Sequence, residues 1–219
     1  MMFKNRIDAG RQLARALENL RSVAENKSLV VLAIPRGGVV VGFEIACALD
    51  APLDLWFSHK LGAPGNPEFA IGSVAENGAV EVDPRAVNAL AISPAYISTE
   101  AEKQRVEITR RAARYRSAAS PLPIENKTVL LVDDGLATGS TAASALKSLR
   151  AQHPARIILA VPVAPPDTVA LLRPHADEIV TLHQPRNFGA VGQFYETFGQ
   201  TSDEDVIELM RKCRSQNAE

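Results

Sequence analysis

Residues 129–141 read VLLVDDGLATGST, and three kinds of chemistry follow one another along them. Val129, Leu130, Leu131 and Val132 form an apolar run too short for a helix, the pattern of a strand buried on both faces of a parallel sheet. Two carboxylates come next, Asp133 and Asp134. A turn then runs from Gly135 through Ala137, Thr138 and Gly139 to Ser140, and a helical pattern starts near Thr141. The start of a helix offers unpaired N–H groups and a positive dipole end, which suit a phosphate. Gly135 and Gly139 let the backbone approach closely, and Thr138, Ser140 and Thr141 add hydroxyls. Ionised carboxylates only accept hydrogen bonds, which suits a vicinal diol. A phosphate beside a diol describes a ribose 5-phosphate. An ordinary capped corner would need one acid and no Thr-Gly-x-Thr run.

On either side, short apolar runs alternate with helical periods. Residues 29–34 (LVVLAI) read as a strand that ends on Pro35, Arg36, Gly37 and Gly38, with a helical run to about Leu49. Ligands of a doubly wound sheet bind outside the carboxyl ends of its strands, so this turn and Asp133 are expected at one crevice. An arginine before two glycines lets a guanidinium and bare backbone N–H groups converge on an anion. Residues 53–58 read as a second strand that carries His59 and Lys60 to its carboxyl end. Beyond the acid pair, the helix continues over 142–152, followed by a strand at 156–161, a helix at 165–173 and a strand at 178–182. The expected fold class is α/β, a mainly parallel sheet of about five strands flanked by helices.

The remaining segments are less regular. Residues 5–25 place Ile7, Leu13, Leu17 and Leu20 at helical spacing, as a packing helix or as part of a lid with Arg6, Asp8 or Arg11 turned inward. In the interval 61–126, Gly62, Pro64, Gly65, Asn66 and Pro67 read as a loop. Stretches at 70–75 and 79–82 flank the hairpin signal Asn77-Gly78. A helix over 94–116 carries Arg105, Arg110, Arg111, Arg114 and Arg116 among glutamates, with Glu107 and Arg111 spaced to pair. That pattern fits a solvated, salt-bridged face, or an anion-binding lid edge built on Tyr115 and Arg116. Residues 117–123 read as a flexible connection, and the chain ends on a helix at 206–213 after an acidic first turn. The 219 residues are 46% hydrophobic and 22% charged, with a net charge of −1, which gives no reason to expect nucleic acid or an anionic membrane as a partner. Cys47 and Cys213 lack metal-type spacing and are expected as reduced thiols of a cytoplasmic protein. No run approaches membrane-spanning length, and neither GxGxxG nor GxxxxGK[ST] occurs.

The stretch 129–141 resembles the phosphoribosyl pyrophosphate (PRPP) signature of type I phosphoribosyltransferases, an apolar strand, two acids, a short spacer and Ala-Thr-Gly-x-Thr. IPRGGVVVG resembles that family's pyrophosphate loop, with Pro35 where xanthine-guanine enzymes carry serine. Lys60 matches one half of a basic pair common at that place, and His59 stands where arginine is usual. Phe188, Val191, Gly192 and Glu196 resemble the purine-enzyme segment Phe-Val-Val-Gly-x-x-x-Asp-Tyr, with one extra residue between Phe188 and Val191.

The resemblance implies one phosphoribosyltransferase domain over 1–219, with its core at about 29–60 and 127–183. An insertion and flexible-loop region at 61–126 would close over PRPP, and a small hood would come from 1–25 and 184–219. It implies that Arg36, Gly37, Gly38 and Lys60 receive pyrophosphate and that Gly135, Ala137, Thr138, Gly139, Ser140 and Thr141 hold the 5-phosphate. Asp133 and Asp134, with Lys60, are the implied catalytic residues. Phe188 and Val191 would take a purine-like base. Magnesium is the implied cofactor, held by Asp133, Asp134 and Glu196, mostly through water or PRPP. The implied partners are PRPP and a nucleobase-like acceptor, and dimers are common among members. A protein that binds PRPP or a nucleotide without turning it over is the reading from another class.

Overall fold

Alternation along each strand sorts the core into two layers. In the computed structural model, Val31, Ala33, Leu130, Val132, Ile158 and Ala160 pack into one buried cluster. Their neighbours Val30, Leu32, Val129, Leu131, Ile157 and Leu159 pack into another on the opposite face. A side-chain period of two produces this division, and strands buried on both faces need the unbroken apolar runs seen in the sequence.

The structure describes residues 2–116 and 120–216, the side chains of residues 68 and 214–216 apart. In chain order the elements are α1 (Arg6–Ala16), α2 (Arg21–Glu25), β1 (Leu29–Ala33), α3 (Gly37–Leu49), β2 (Leu53–Leu55), β3 (Ser58–Ala63), β4 (Asn66–Ala75) and β5 (Val80–Val82). They continue with α4 (Pro84–Ala89), α5 (Pro94–Arg116), β6 (Thr128–Val132), α6 (Ser140–Arg150), β7 (Arg156–Val163), α7 (Pro166–Leu172), β8 (Glu178–His183) and α8 (Asp203–Gln216). Five strands form a parallel sheet in the order β2-β1-β6-β7-β8. Ala33 pairs with Val132, so β1 and β6 end level and deliver the 35–38 turn and the acid pair to one edge.

Three expectations change. The strand expected over 53–58 pairs with β1 only at Leu53–Leu55. Leu53, Leu55 and Phe57 pack in one core layer and Trp56 in the other, so the alternation runs on past Leu55 although the pairing with β1 stops there. His59 and Lys60 therefore lie within β3 of a second, antiparallel sheet, β3-β4-β5. The loop expected from Gly62 to Pro67 is a β-hairpin, with Gly62 in β3, Asn66 and Pro67 in β4, and Pro64-Gly65 at the tip. Most of the 61–126 interval is packed structure, since Leu61, Ile71, Val74 and Ile108 are fully buried. The flexible connection at 117–123 falls in part, at 117–119, outside the described residues. The helix expected over 5–25 breaks after Ala16, because Leu17 and Leu20 turn inward through a short 3-10 turn.

The two ends of the chain meet. The Phe3 N–H donates to the Phe194 carbonyl at 2.8 Å, and the Glu196 N–H donates to the Phe3 carbonyl at 2.8 Å. The Phe3 and Tyr195 rings pack with centroids 5.4 Å apart, beside Val163 at the end of β7. No helix among the described residues is long and apolar enough to cross a membrane.

Candidate active site

At the end of β6 the two acids differ in their surroundings. Asp133 Oδ1 accepts the Asp134 N–H at 2.8 Å. Burial, and then repulsion from Asp134, push the Asp133 carboxyl well above the ordinary carboxylate range. Asp134 Oδ2 accepts from Arg6 Nε at 2.6 Å, so α1 does send a guanidinium inward. Arg6 also donates to the Gly199 carbonyl at 2.7 Å, and its guanidinium lies 3.8 Å from the centre of the Phe198 ring.

The arginine-glycine-glycine turn presses directly on this pair. A Cβ at Gly37 would fall 1.9 Å from Asp134 Oδ2, and one at Gly38 would fall 2.9 Å from the Asp133 Cα. Only glycine leaves room for the acids here. The peptide bond between Pro35 and Arg36 is cis. On the other side of β6, Gly139 takes the left-handed conformation, φ 74°, just before α6. Thr168 Oγ1 donates to the Ala137 carbonyl at 2.6 Å and anchors the turn from behind. Its hydroxyl residues Thr138, Ser140 and Thr141 remain exposed.

These exposed hydroxyls form one wall of a cavity of about 660 Å³. Facing them are Pro35, the segment from Trp56 to Lys60, and Glu100, Lys103, Gln104 and Arg111 from α5. His59 Nδ1 lies 2.9 Å from Gln104 Oε1. A smaller cavity of about 330 Å³ lies on the Arg6 side, lined by Arg6, Arg36, Gly37, Phe198 and Thr201. The arrangement places cationic groups and helix-start N–H groups beside two carboxylates, which suits an anionic, polyhydroxylated ligand.

A sequence model of the phosphoribosyl transferase domain family matches residues 4–198. The chain belongs to this family. Over 218 residues it is 41% identical to a Mycobacterium tuberculosis protein provisionally named phosphoribosyl transferase, known from strains CDC 1551 / Oshkosh and ATCC 25618 / H37Rv. That alignment takes 100% of this chain and 48% of the relative, so the chain spans about half the length of the curated relatives it matches. The crystal structure of a Thermus thermophilus protein superposes with a TM-score of 0.87 at 42% identity, over 97% of this chain and 99% of that one. The fold is the type I phosphoribosyltransferase fold, and the family is one of glycosyltransferase-type enzymes.

Within this phosphoribosyltransferase fold, Arg36, Gly37, Gly38, Asp133, Asp134 and the 135–141 turn gather at one sheet edge, with Lys60 across the larger cavity. Val191 joins them, because a Cβ on Gly135 would fall 2.6 Å from Val191 Cγ1. Phe188 stacks on Phe194 at 5.2 Å beside β8. Glu196 is exposed and binds the chain start through its backbone. Among the described residues no three His, Cys, Asp or Glu side chains converge as a metal set, so Glu196 does not join the acid pair in this conformation. Asp133 and Asp134 still suit a hard cation. They are oxygen donors, and a positive charge would offset both the burial and the repulsion that lift the Asp133 carboxyl.

The lid edge offered on Tyr115 and Arg116 is not formed by Arg116. Its side chain is 3% exposed, with Nε on Asp54 at 2.7 Å, Nη1 on Glu76 and Nη2 on the Leu55 carbonyl at 2.7 Å. Tyr115 is buried, with its hydroxyl on Asp203 at 2.5 Å. Sequence reasoning misses Tyr195. Its hydroxyl donates to the Asp134 carbonyl at 2.5 Å and fixes the backbone of the second acid. Its place directly before Glu196, inside the aromatic stretch QFYETF, is the available signal.

Proposed function

We propose that the chain transfers the 5-phosphoribosyl group of PRPP to a ring nitrogen of a nitrogenous base, purine-like by preference, with release of pyrophosphate. The observation that carries this reading is the contact of Gly37 with Asp134 beside the cavity shared by Lys60 and the hydroxyls of 138–141. That juxtaposition matches the three parts of PRPP, with anion donors at both ends and carboxylates between them. Thr138, Gly139, Ser140 and Thr141 would hold the 5-phosphate against the start of α6. Arg36, the N–H groups of Gly37 and Gly38, and Lys60 would receive the pyrophosphate.

Displacement at C1 breaks the bond to the pyrophosphate oxygen, which keeps the electron pair, while the base nitrogen bonds to C1. Positive charge gathers on the ribosyl ring meanwhile. Asp133 and Asp134 would orient the diol and oppose that charge, so that positioning and electrostatics supply most of the catalysis. Asp133 and Asp134 would hold a magnesium ion together with water, and the ion would supply charge neutralisation for the leaving pyrophosphate. Phe188 would offer a face for the base and Val191 its edge. Segments of the 61–126 interval would exclude water from the charged ring. Magnesium dependence, cytoplasmic nucleotide salvage and a homodimeric state belong to the same reading.

The test is pyrophosphate release from PRPP and magnesium across a panel of nucleobases. Release with at least one base supports transfer. Binding of PRPP without release from any base supports the second reading, a PRPP-binding regulator. The hold of Arg6 on Asp134 favours that second reading, because it occupies one acid.

A further inference from the structure

We propose that the cavity between the 35–36 turn, α5 and the start of α8 is a second anion site that takes a phosphoryl group apart from the one assigned to residues 137–141. This cavity measures about 230 Å³ and is lined by Pro35, Arg36, Arg110, Arg111, Arg114, Tyr115 and Asp203. A water occupies about 30 Å³ in the liquid, so the space admits a phosphoryl group with part of its hydration. Gly37, Lys60, Asp133, Asp134 and the hydroxyls of 138–141 are not in its wall. It adjoins the larger cavity at Pro35 and Arg111, which line both. The site does not depend on turnover of PRPP.

The nest already holds an anion of the chain itself. Asp203 Oδ1 accepts from the Tyr115 hydroxyl at 2.5 Å and from Arg36 Nη1 at 3.4 Å, and Asp203 Oδ2 meets Arg114 Nη1 at 2.5 Å. Three donors, two from α5 and one from the 35–36 turn, thus converge on one carboxylate, and they hold its pKa below the usual range. Donors still exceed acceptors around it. Glu107 alone answers both Arg110 (2.9 Å) and Arg111 (2.7 Å), and Glu204 answers Arg114 at 3.0 Å. Four guanidinium groups therefore face three carboxylates, Glu107, Asp203 and Glu204, where a salt-bridged face would need no such surplus. Guanidinium groups and a phenol hydroxyl match phosphoryl oxygens in geometry as well as charge. In this account Asp203 is the internal competitor that an incoming phosphoryl group displaces, and Arg36 is the residue through which the site touches the pyrophosphate loop.

The experiment is calorimetric titration of the full chain with inorganic phosphate, for wild type, for Arg110→Ala with Arg114→Ala, and for Asp203→Asn. One phosphate is expected at this site in addition to those held by the 5-phosphate and pyrophosphate residues. The double variant should weaken that one event at least tenfold and leave the others unchanged. Asp203→Asn should tighten that same event about threefold or more, the opposite of what loss of a merely structural contact would do. Equal titrations for wild type and the double variant would overturn the proposal, as would unchanged or weaker binding in Asp203→Asn. If the double variant fails to fold, Asp203→Asn decides alone. Phenyl phosphate distinguishes the sources of the phosphoryl group. Arginine-dependent binding as tight as that of phosphate assigns the site to phosphate esters, and arginine-dependent binding at least tenfold weaker assigns it to the free ion. Pyrophosphate release from PRPP, measured in parallel, reports on the transferase reading independently.

Discussion

Two arginines reach carboxylates away from open solvent, and they differ in how fully they are answered. Arg116 spends its guanidinium on Asp54, Glu76 and the Leu55 carbonyl. Asp54 in turn accepts the backbone N–H groups of Leu55 at 2.8 Å and Leu122 at 2.9 Å. Arg6 has Asp134 and the Gly199 carbonyl, leans on Phe198, and borders a cavity. The first centre is closed on every side and ties the ends of β2, β4 and α5 together. The second is half-answered and next to space a ligand can enter. An ion pair of the first kind belongs to the scaffold. One of the second kind can exchange a partner, as a substrate site requires.

The largest effect should come from the closed centre. Arg116→Ala leaves Asp54 buried, and Glu76 half-buried, without their cation, and breaking a buried pair typically costs about 3–5 kcal/mol. Urea unfolding should show that loss, and Arg6→Ala should show less than half of it, because the Arg6–Asp134 pair is 13% and 15% exposed against 3% and 4% for Arg116 and Asp54. Equal losses would erase the distinction between the two centres. Next in size is Asp133→Asn with Asp134→Asn, which should lower pyrophosphate release at least a hundredfold, on the scale of about 2.7–4 kcal/mol for lost electrostatic stabilisation. Transfer within tenfold of wild type would reject the roles given to the acids.

The open centre is the more legible of the two in the sequence. Its acids and turn lie within one continuous stretch, and their chemistry is local, a strand tip followed by a helix start. The parallel sheet is legible for a similar reason, since β1, β6 and β7 are uninterrupted apolar runs. The closed centre joins Asp54, Glu76 and Arg116 from three segments, and no local pattern links them. Arg116 looks like one more cation on an arginine-rich helix, and only packing distinguishes it from Arg110. The path of β2 is hidden because Trp56 and Phe57 are as apolar as the strand before them. Asp203 looks like part of an ordinary acidic first turn, and its partners Arg36, Arg114 and Tyr115 come from distant segments.

Gly37→Ala sharpens the contrast on the open side. The added methyl would sit 1.9 Å from Asp134 Oδ2, so the acid or the turn must move. A shift of about 1 Å in a positioned group can cost about a hundredfold in rate. Gly199→Ala is the control, because nothing lies within 4 Å of the place its methyl would take. Pyrophosphate release should fall about a hundredfold in the first variant and stay within a few-fold in the second. If both fall alike, the close approach at Gly37 has no special part in the site.

The smallest effect concerns a third arginine centre, intermediate between the two. Asp203 holds Arg36, Arg114 and Tyr115, yet it lies near the surface, so its ion pairs are screened by solvent. Asp203→Asn should therefore cost less than about 1 kcal/mol near neutral pH, as exposed pairs do. The hydrogen bond from Tyr115, and then Arg114 and Arg36, hold the Asp203 carboxyl below its ordinary value of 3.8. Between that folded value and 3.8 the unfolded chain carries more protons than the folded one, so the stability contributed by Asp203 rises with pH. It is fully present above 3.8 and is lost as pH falls through the folded value. The difference in unfolding free energy between wild type and Asp203→Asn should accordingly be flat from neutral pH to about pH 5, well above 3.8, and close on further acidification. A difference that persisted unchanged to pH 2 would mean that Asp203 supports α8 by packing or capping alone, and that its hold on the three donors contributes no stability.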